Sequence, residues 1–291
     1  MITPFREDLE LDLDALKWLV GHQVKGGVHG VFPNSTTGEF VHLRKEEAIK
    51  LTEVLLEEAG EKLWVIPGIS DNSTDRAIEL GLKFKDMGVD GVIVTPPFFF
   101  KIDRERLKLH FSRIAAKLEL PIIVYNIPST TGINIPVELY AELSTEHSNV
   151  VGAKVTLDSV SYLRKLIDSV KSVRKDFSVL TGMDNLLLFN LMMGGDGGIT
   201  ALANLTPRLH RAVYDAWIEG DIARAHEENR KLMKLAEVYE VATSYPTAVK
   251  TALSLLGTPV KPYVRPPLTP EPEEVVENVA RILRELGILQ S

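Results

Sequence analysis

One lysine stands out for the company it keeps. In "VVGAKVTLDS", residues 150 to 159, Lys154 is the single ammonium among Val150, Val151, Gly152, Ala153 and Val155. An amine flanked by apolar walls loses solvation, which lowers its pKa and leaves free amine at neutral pH. Free amine attacks a ketone to give a Schiff base, and the protonated imine withdraws electrons from the neighbouring carbon–carbon bond. No metal or cofactor is needed for that chemistry. The alternative is that Lys154 pairs with a carboxylate or snorkels to the rim of its layer.

A Schiff-base lysine needs a proton shuttle, and Tyr125, closing the run "PIIVYN", is the candidate. Its ring could equally cap the core. "STTGE" at 35–39 would present amides and hydroxyls to a carboxylate if it opens a helix, or serve as a polar cap and turn. "GGDGG" at 194–198 reads as a tight turn into a strand, with a phosphate loop the lesser reading. The histidines, at 22, 29, 42, 110, 147, 210 and 226, show neither H-x-H nor H-E-x-x-H spacing, so the sequence offers no metal site. A G-x-x-x-x-G-K-[ST] phosphate loop is absent.

The elements that would hold these residues alternate regularly. β-rich runs are "ITPF" at 2–5, "GVFPN" at 30–34, "LWVIPG" at 63–68 and "GVIVTP" at 91–96. They continue with "PIIVYN" at 121–126, "VVGAK" at 150–154, "FSVLTG" at 177–182 and "GGITAL" at 197–202. Amphipathic segments separate them, such as "STDRAIELGLKFKDMG", with Ser73 or Thr74 as a cap. This rhythm fits a (β/α)8 TIM barrel better than a doubly wound sheet, whose glycine-rich first turn is missing. In a barrel, function gathers at the carboxyl ends of strands. Besides Lys154 and Tyr125, those ends carry Thr36, Thr37, Thr156, Gly182, Asp184 and Ile199. Beyond residue 207 only helical signals remain, broken by the proline-rich loop "KPYVRPPLTPEP" at 261–272, expected to cross back over the last helices. The expected organisation is a barrel over residues 1–220 carrying the active site, with a C-terminal helical appendage over 221–291.

Composition narrows the function classes. Of 291 residues, 45% are hydrophobic and 25% charged, with a net charge of −7 and no cysteine. Interspersed charge without a basic face argues against nucleic acid, and no apolar run approaches the ~18 residues of a membrane span. Without cysteine there is no disulfide, iron–sulfur cluster or thiol nucleophile, which fits the cytoplasm. The start turns acidic at once, unlike a signal peptide.

"TPF", "STTGEF", "YNIPSTTG", "GAKVT" and "GGDGGI" fall in the order and spacing of the dihydrodipicolinate synthase/N-acetylneuraminate lyase superfamily, which the whole chain resembles. The resemblance implies a (β/α)8 barrel, a pyruvate-type Schiff-base lyase acting on a small 2-keto acid, and a homo-oligomer, dimer or tetramer. It makes Lys154 the Schiff-base lysine and Tyr125 the proton relay. Thr36 and Thr37 would contact the tyrosine hydroxyl and the substrate carboxylate. The carbonyl of Ile199 would join in proton handling, and Asp184 would meet distal substrate hydroxyls. "MITPF" begins late for this family, which implies a short first strand or a start further upstream.

Departures from the pattern narrow the substrate. Synthases of the family carry arginine where this chain has Thr130, and a tyrosine-bearing segment where it has "PPFFF" at 96–100. Losing a guanidinium–carboxylate contact removes about 1.5–3 kcal/mol of charge-assisted bonding. "GAKVTLDSVSYLRKLI" is similar instead to 2-keto-3-deoxy sugar-acid aldolases, although Val155 stands where they have aspartate. The expected activity is therefore cleavage of a 2-keto-3-deoxy sugar acid, such as 2-keto-3-deoxygluconate, to pyruvate and an aldehyde. Dihydrodipicolinate synthase or N-acetylneuraminate lyase activity, or a non-catalytic keto-acid-binding barrel, are the alternatives.

Overall fold

The computed structural model describes residues 1–290. The chain forms two compact units, one of residues 66–200 and one of residues 1–65 with 201–290. Seven strands appear among the described residues: β1 (Gly30–Val31), β2 (Trp64–Val65), β3 (Val92–Val94), β4 (Ile122–Asn126), β5 (Val150–Val155), β6 (Ser178–Thr181) and β7 (Gly197–Gly198). All ladders are parallel, with helical segments between consecutive strands.

The unit of residues 66–200 holds β3 to β7 as one sheet in sequence order. β3 and β4 are buried at every residue, as unbroken apolar runs in a parallel sheet covered on both faces should be. The register sets Tyr125 opposite Lys154, and Lys154 opposite Leu180. Helices of this unit turn one apolar stripe inward. Thr74–Asp86 buries Ala77, Gly81 and Phe84, spaced at one helical turn. A Cβ on Gly81 would lie 2.7 Å from Leu118, so the glycine allows that close approach. Ser73, not Thr74, is the cap, its hydroxyl accepting the Arg76 N–H.

In the other unit, β1 and β2 pair with Gly30 opposite Trp64. Leu16, Val20, Val31, Leu51, Leu55 and Val65 form one apolar cluster around them. A second cluster joins the first helix (Leu13–Gly26) to the helices Ile222–Ala236, Tyr245–Leu255 and Glu273–Glu285, through Leu19, Leu235, Val249 and Leu283. The C-terminal helices are thus built into the core that the N-terminal helix needs.

Two expectations change. The run at 2–5 joins no ladder: Phe5 forms a single antiparallel bridge with Leu11. The Ile2 side chain instead packs into the second cluster, and its N–H donates to Asn204 Oδ1 at 3.1 Å. "STTGE" does not open an α-helix. A 3-10 turn, Phe40–His42, follows it, and the helix starts at Lys45. The proline-rich loop runs along the C-terminal helices as expected, Tyr263 O accepting from Lys250 Nζ and Glu271 from the Thr243 N–H. It also reaches the early part of the chain, its Arg265 pairing with Glu47 and donating to Leu9 O.

Candidate active site

The strand β5 carries Lys154 into the interior of its unit, with 7% of the residue exposed. Val150, Ala153 and Val155 around it are fully buried, so water has little access to the ammonium. Burial lowers the Lys154 pKa from 10.5 to about 7, while the nearby negative charge of Asp184 opposes the shift. A large share of this amine is therefore neutral, and nucleophilic, near pH 7.

Its register partner Tyr125, 2% exposed, lies alongside: Lys154 Nζ sits 4.2 Å from the centroid of the tyrosine ring. The Tyr125 hydroxyl and Thr156 Oγ1 are hydrogen-bonded at 3.0 Å. Thr156 is fixed just past the end of β5 by its N–H, which donates to Asn126 O at 2.8 Å. Amine, phenol and alcohol thus gather at the carboxyl ends of β4 and β5, Lys154 and Tyr125 within the ladder and Thr156 one residue beyond it.

Gly182, the residue after β6, makes the arrangement possible. A side-chain carbon there would fall 1.9 Å from Thr156 Oγ1 and 2.9 Å from Lys154 Cε. Its N–H donates to Val155 O at 2.7 Å, so the backbone of β6 closes against the lysine strand. Asp184, 2% exposed, begins a short 3-10 turn beyond it. Ile199 follows β7, its N–H donating to Thr181 O at 2.8 Å. Lys154 thus lies against Tyr125, Tyr125 against Thr156, and Gly182 beside both Thr156 and Lys154, with Asp184 felt electrostatically and Ile199 just past β7.

"GGDGG" is a turn into β7. Gly194 and Gly197 take φ of 91° and 144°, and Asp196 pairs with Lys171 and accepts the Val179 N–H.

Thr36 and Thr37 belong to the other unit. They are the half-buried residues of a turn whose other members, Asn34, Ser35, Gly38 and Glu39, are buried. Ser35 Oγ accepts the Gly38 N–H at 3.0 Å and donates to Met1 O, and Thr3 Oγ1 donates to Gly38 O at 2.6 Å.

Sequence reasoning missed what lies beneath this turn. Glu39 and Lys250, both fully buried side chains, form an ion pair, and Arg265 N–H donates to the other Glu39 oxygen at 3.1 Å. The signal was present: Lys250 is the one charged residue in the helix Tyr245–Leu255, as Lys154 is in its strand. Isolated lysines in apolar segments carry the same pattern whether they react or hold structure.

Residues 1–286 match the dihydrodipicolinate synthetase family. A DapA-like lyase of Thermofilum pendens is 62% identical over 99% of this chain and 95% of its own. A probable 2-dehydro-3-deoxy-D-pentonate aldolase of Escherichia coli is 36% identical, covering 99% of this chain and 95% of its own. A 4-hydroxy-tetrahydrodipicolinate synthase of Methanopyrus kandleri is 37% identical over the same shares, 99% and 95%. Among solved structures, the prophage protein YagE of E. coli in complex with pyruvate aligns with a TM-score of 0.96 at 31% identity, over 99% and 96% of the two chains. The chain therefore belongs to the dihydrodipicolinate synthetase family, as a lyase of the (β/α)8 barrel class with a helical C-terminal region.

Proposed function

We propose that the protein is a class I aldolase that cleaves a 2-keto-3-deoxy sugar acid, such as 2-keto-3-deoxygluconate, to pyruvate and an aldehyde. The observation that carries this reading is the Lys154 amine, brought to a pKa of about 7 by burial and set against the Tyr125–Thr156 hydroxyl pair. Lys154 Nζ adds to the C2 ketone. Tyr125 gives its proton to the departing hydroxyl, so that water leaves, a protonated imine forms and the phenolate remains. The phenolate then takes the C4 hydroxyl proton as the C3–C4 bond breaks, and the bonding pair flows into the imine to give the pyruvate enamine. Protonation at C3 and hydrolysis release pyruvate and regenerate the amine.

Thr36 assists Tyr125 and Thr37 holds the substrate carboxylate. Thr156 tethers the phenol, Gly182 keeps room for the imine, and Asp184 meets the distal hydroxyls. The Ile199 carbonyl takes part in proton handling as a hydrogen-bond acceptor. All these groups lie within residues 1–220, the segment we assign to catalysis. The similar pentonate aldolase and the similar synthase differ in chemistry, so relatives alone do not choose between them. Thr130, exposed and donating to Ile127 O, and the exposed Phe99 and Phe100 favour the aldolase, because none offers a charge or phenol to a second carboxylate. The assembly we infer from the family is a homotetramer, working in the cytoplasm.

Trapping tests the mechanism. Incubation with pyruvate and borohydride should leave a reduced adduct on Lys154, located by peptide mass; absence of that adduct sinks the reading. Pyruvate release from a panel of 2-keto-3-deoxy sugar acids and N-acetylneuraminate should favour the former. Faster condensation with aspartate semialdehyde than cleavage of any of them would overturn the substrate assignment.

A further inference from the structure

The turn bearing Thr36 and Thr37 is shaped by a residue that gains nothing from its own backbone. Glu39 sits at φ 58°, a left-handed conformation that costs a non-glycine residue strain. It is also a buried carboxylate, which stays charged only if its oxygens find partners. Both needs are met from the far end of the chain. Lys250 Nζ donates to Glu39 Oε1 and to Tyr263 O at 2.8 Å. The Arg265 N–H holds Oε2, which also lies 3.4 Å from His42 Nδ1. The Arg265 guanidinium grips Glu47 through two bonds, of 2.7 and 2.6 Å, and donates to Leu9 O and His42 O. Phe5 fills the space between the cations, its ring 4.3 Å from Lys250 Nζ and 4.5 Å from Arg265 Cζ.

We infer that Glu39, Lys250 and Arg265 are positioning residues for the Thr36–Thr37 pair, so that a C-terminal clamp sets how tightly the active site holds the carboxylate of its 2-keto acid. The inference rests on the carboxylate role given to Thr37 above. The geometry is direct. Glu39 N–H donates to Thr36 O at 3.1 Å and Phe40 N–H to Ser35 O at 3.2 Å, so displacing Glu39 displaces the backbone that aims both hydroxyls. On its opposite side the turn is already full, since a Cβ on Gly38 would lie 2.7 Å from Met1 O. Breaking the ion pair leaves one buried charge without its partner, and the cheapest relief is for the turn to move.

Three variants test this: Lys250→Met, Glu39→Gln and, as a control of stability alone, Leu283→Ala in the C-terminal helical cluster. Each is assayed well below its melting temperature for the pyruvate concentration that gives half-maximal borohydride-trapped adduct. Lys250→Met should raise that concentration about tenfold or more, since an ångström of misplacement is costly. Glu39→Gln should raise it less, because its amide oxygen still accepts the Arg265 N–H. Leu283→Ala should leave it unchanged. Wild-type half-saturation in both clamp variants, or an equal shift in Leu283→Ala, overturns the inference. Should Lys250→Met fail to fold, Glu39→Gln alone decides. Amide hydrogen exchange over residues 35–40 gives a reading that needs no substrate. It should accelerate in the clamp variants and not in Leu283→Ala, and no acceleration refutes the clamp. If wild-type protein traps no pyruvate on Lys154, the aldolase reading fails while the exchange experiment still judges the clamp.

Discussion

Two buried lysines in this chain share much of their local setting, and we assign them opposite uses. Lys154 and Lys250 are the single charges of apolar segments, each lies over an aromatic ring at just above 4 Å, and burial lowers both pKa values, to about 7 and about 8. What differs is the company beyond the ring. Lys250 is sealed at 0% exposure with its hydrogen bonds taken by the Glu39 carboxylate and a backbone carbonyl. Lys154 keeps a 7% opening and stands beside a phenol that is hydrogen-bonded to an alcohol. Desolvation lowers the basicity of both amines; access for a ketone and a neighbouring proton relay are what the proposed role asks of Lys154 alone.

Removing each lysine should have the largest effect and separate the two roles. Lys154→Met should abolish both cleavage and the reducible pyruvate adduct while the protein stays folded. Lys250→Met should still form the adduct on Lys154, at higher pyruvate. A mass shift on any peptide containing Lys250 after trapping would erase the distinction between the two.

The relay comes next. Tyr125→Phe removes the only hydroxyl on the ring facing Lys154 and should lower kcat by about 10²–10⁴-fold, the span of a general acid–base group. The fold should hold, since the ring stays buried, and the melting temperature checks that. A Tyr125→Phe enzyme with wild-type kcat would mean that another group carries the proton. Crowding is expected to cost less. Gly182→Ala forces a carbon against Thr156 Oγ1 and Lys154 Cε, and should lower kcat by up to about 10²-fold, assayed well below a melting temperature that the crowding also lowers.

How much of this was legible in the sequence follows from the same contrast. The βα alternation reads directly, because parallel strands such as "PIIVYN" are continuous apolar runs and their helices repeat at one turn. The pairing of Tyr125 with Lys154 was reachable too, since both close consecutive strands. The run at 2–5 misled because a strand needs partners as well as propensity, and Ile2 found its place in a helical cluster instead. The Glu39 clamp was illegible for a different reason. Glu39 is more than two hundred residues from both Lys250 and Arg265, and nothing local says that a polar residue in a turn will be the buried partner of a helix lysine. A period reports a face; it does not report which face across the chain will meet it.

The finest distinction between the lysines is electrostatic, and it predicts the smallest effect. Lys154 releases its proton at about pH 7 in the folded chain and at 10.5 in the unfolded one. The rate of adduct formation should therefore rise as pH passes upward through about 7. Asp184 is the charge that holds the ammonium form up, so Asp184→Asn should move that midpoint to lower pH, away from the ordinary lysine value. Stability follows with a definite sign. Between pH 10.5 and 7 the unfolded chain binds a proton that the folded chain refuses, so this residue destabilises the fold progressively as pH falls through that window. Below about pH 7 the cost is complete. Lys154→Met removes it, and should melt at a higher temperature than wild type at pH 6, with the difference shrinking toward pH 10. A midpoint for Asp184→Asn that moved upward, or a melting difference that ran the other way with pH, would mean that the amine is held charged, as Lys250 is by Glu39, rather than kept ready to react.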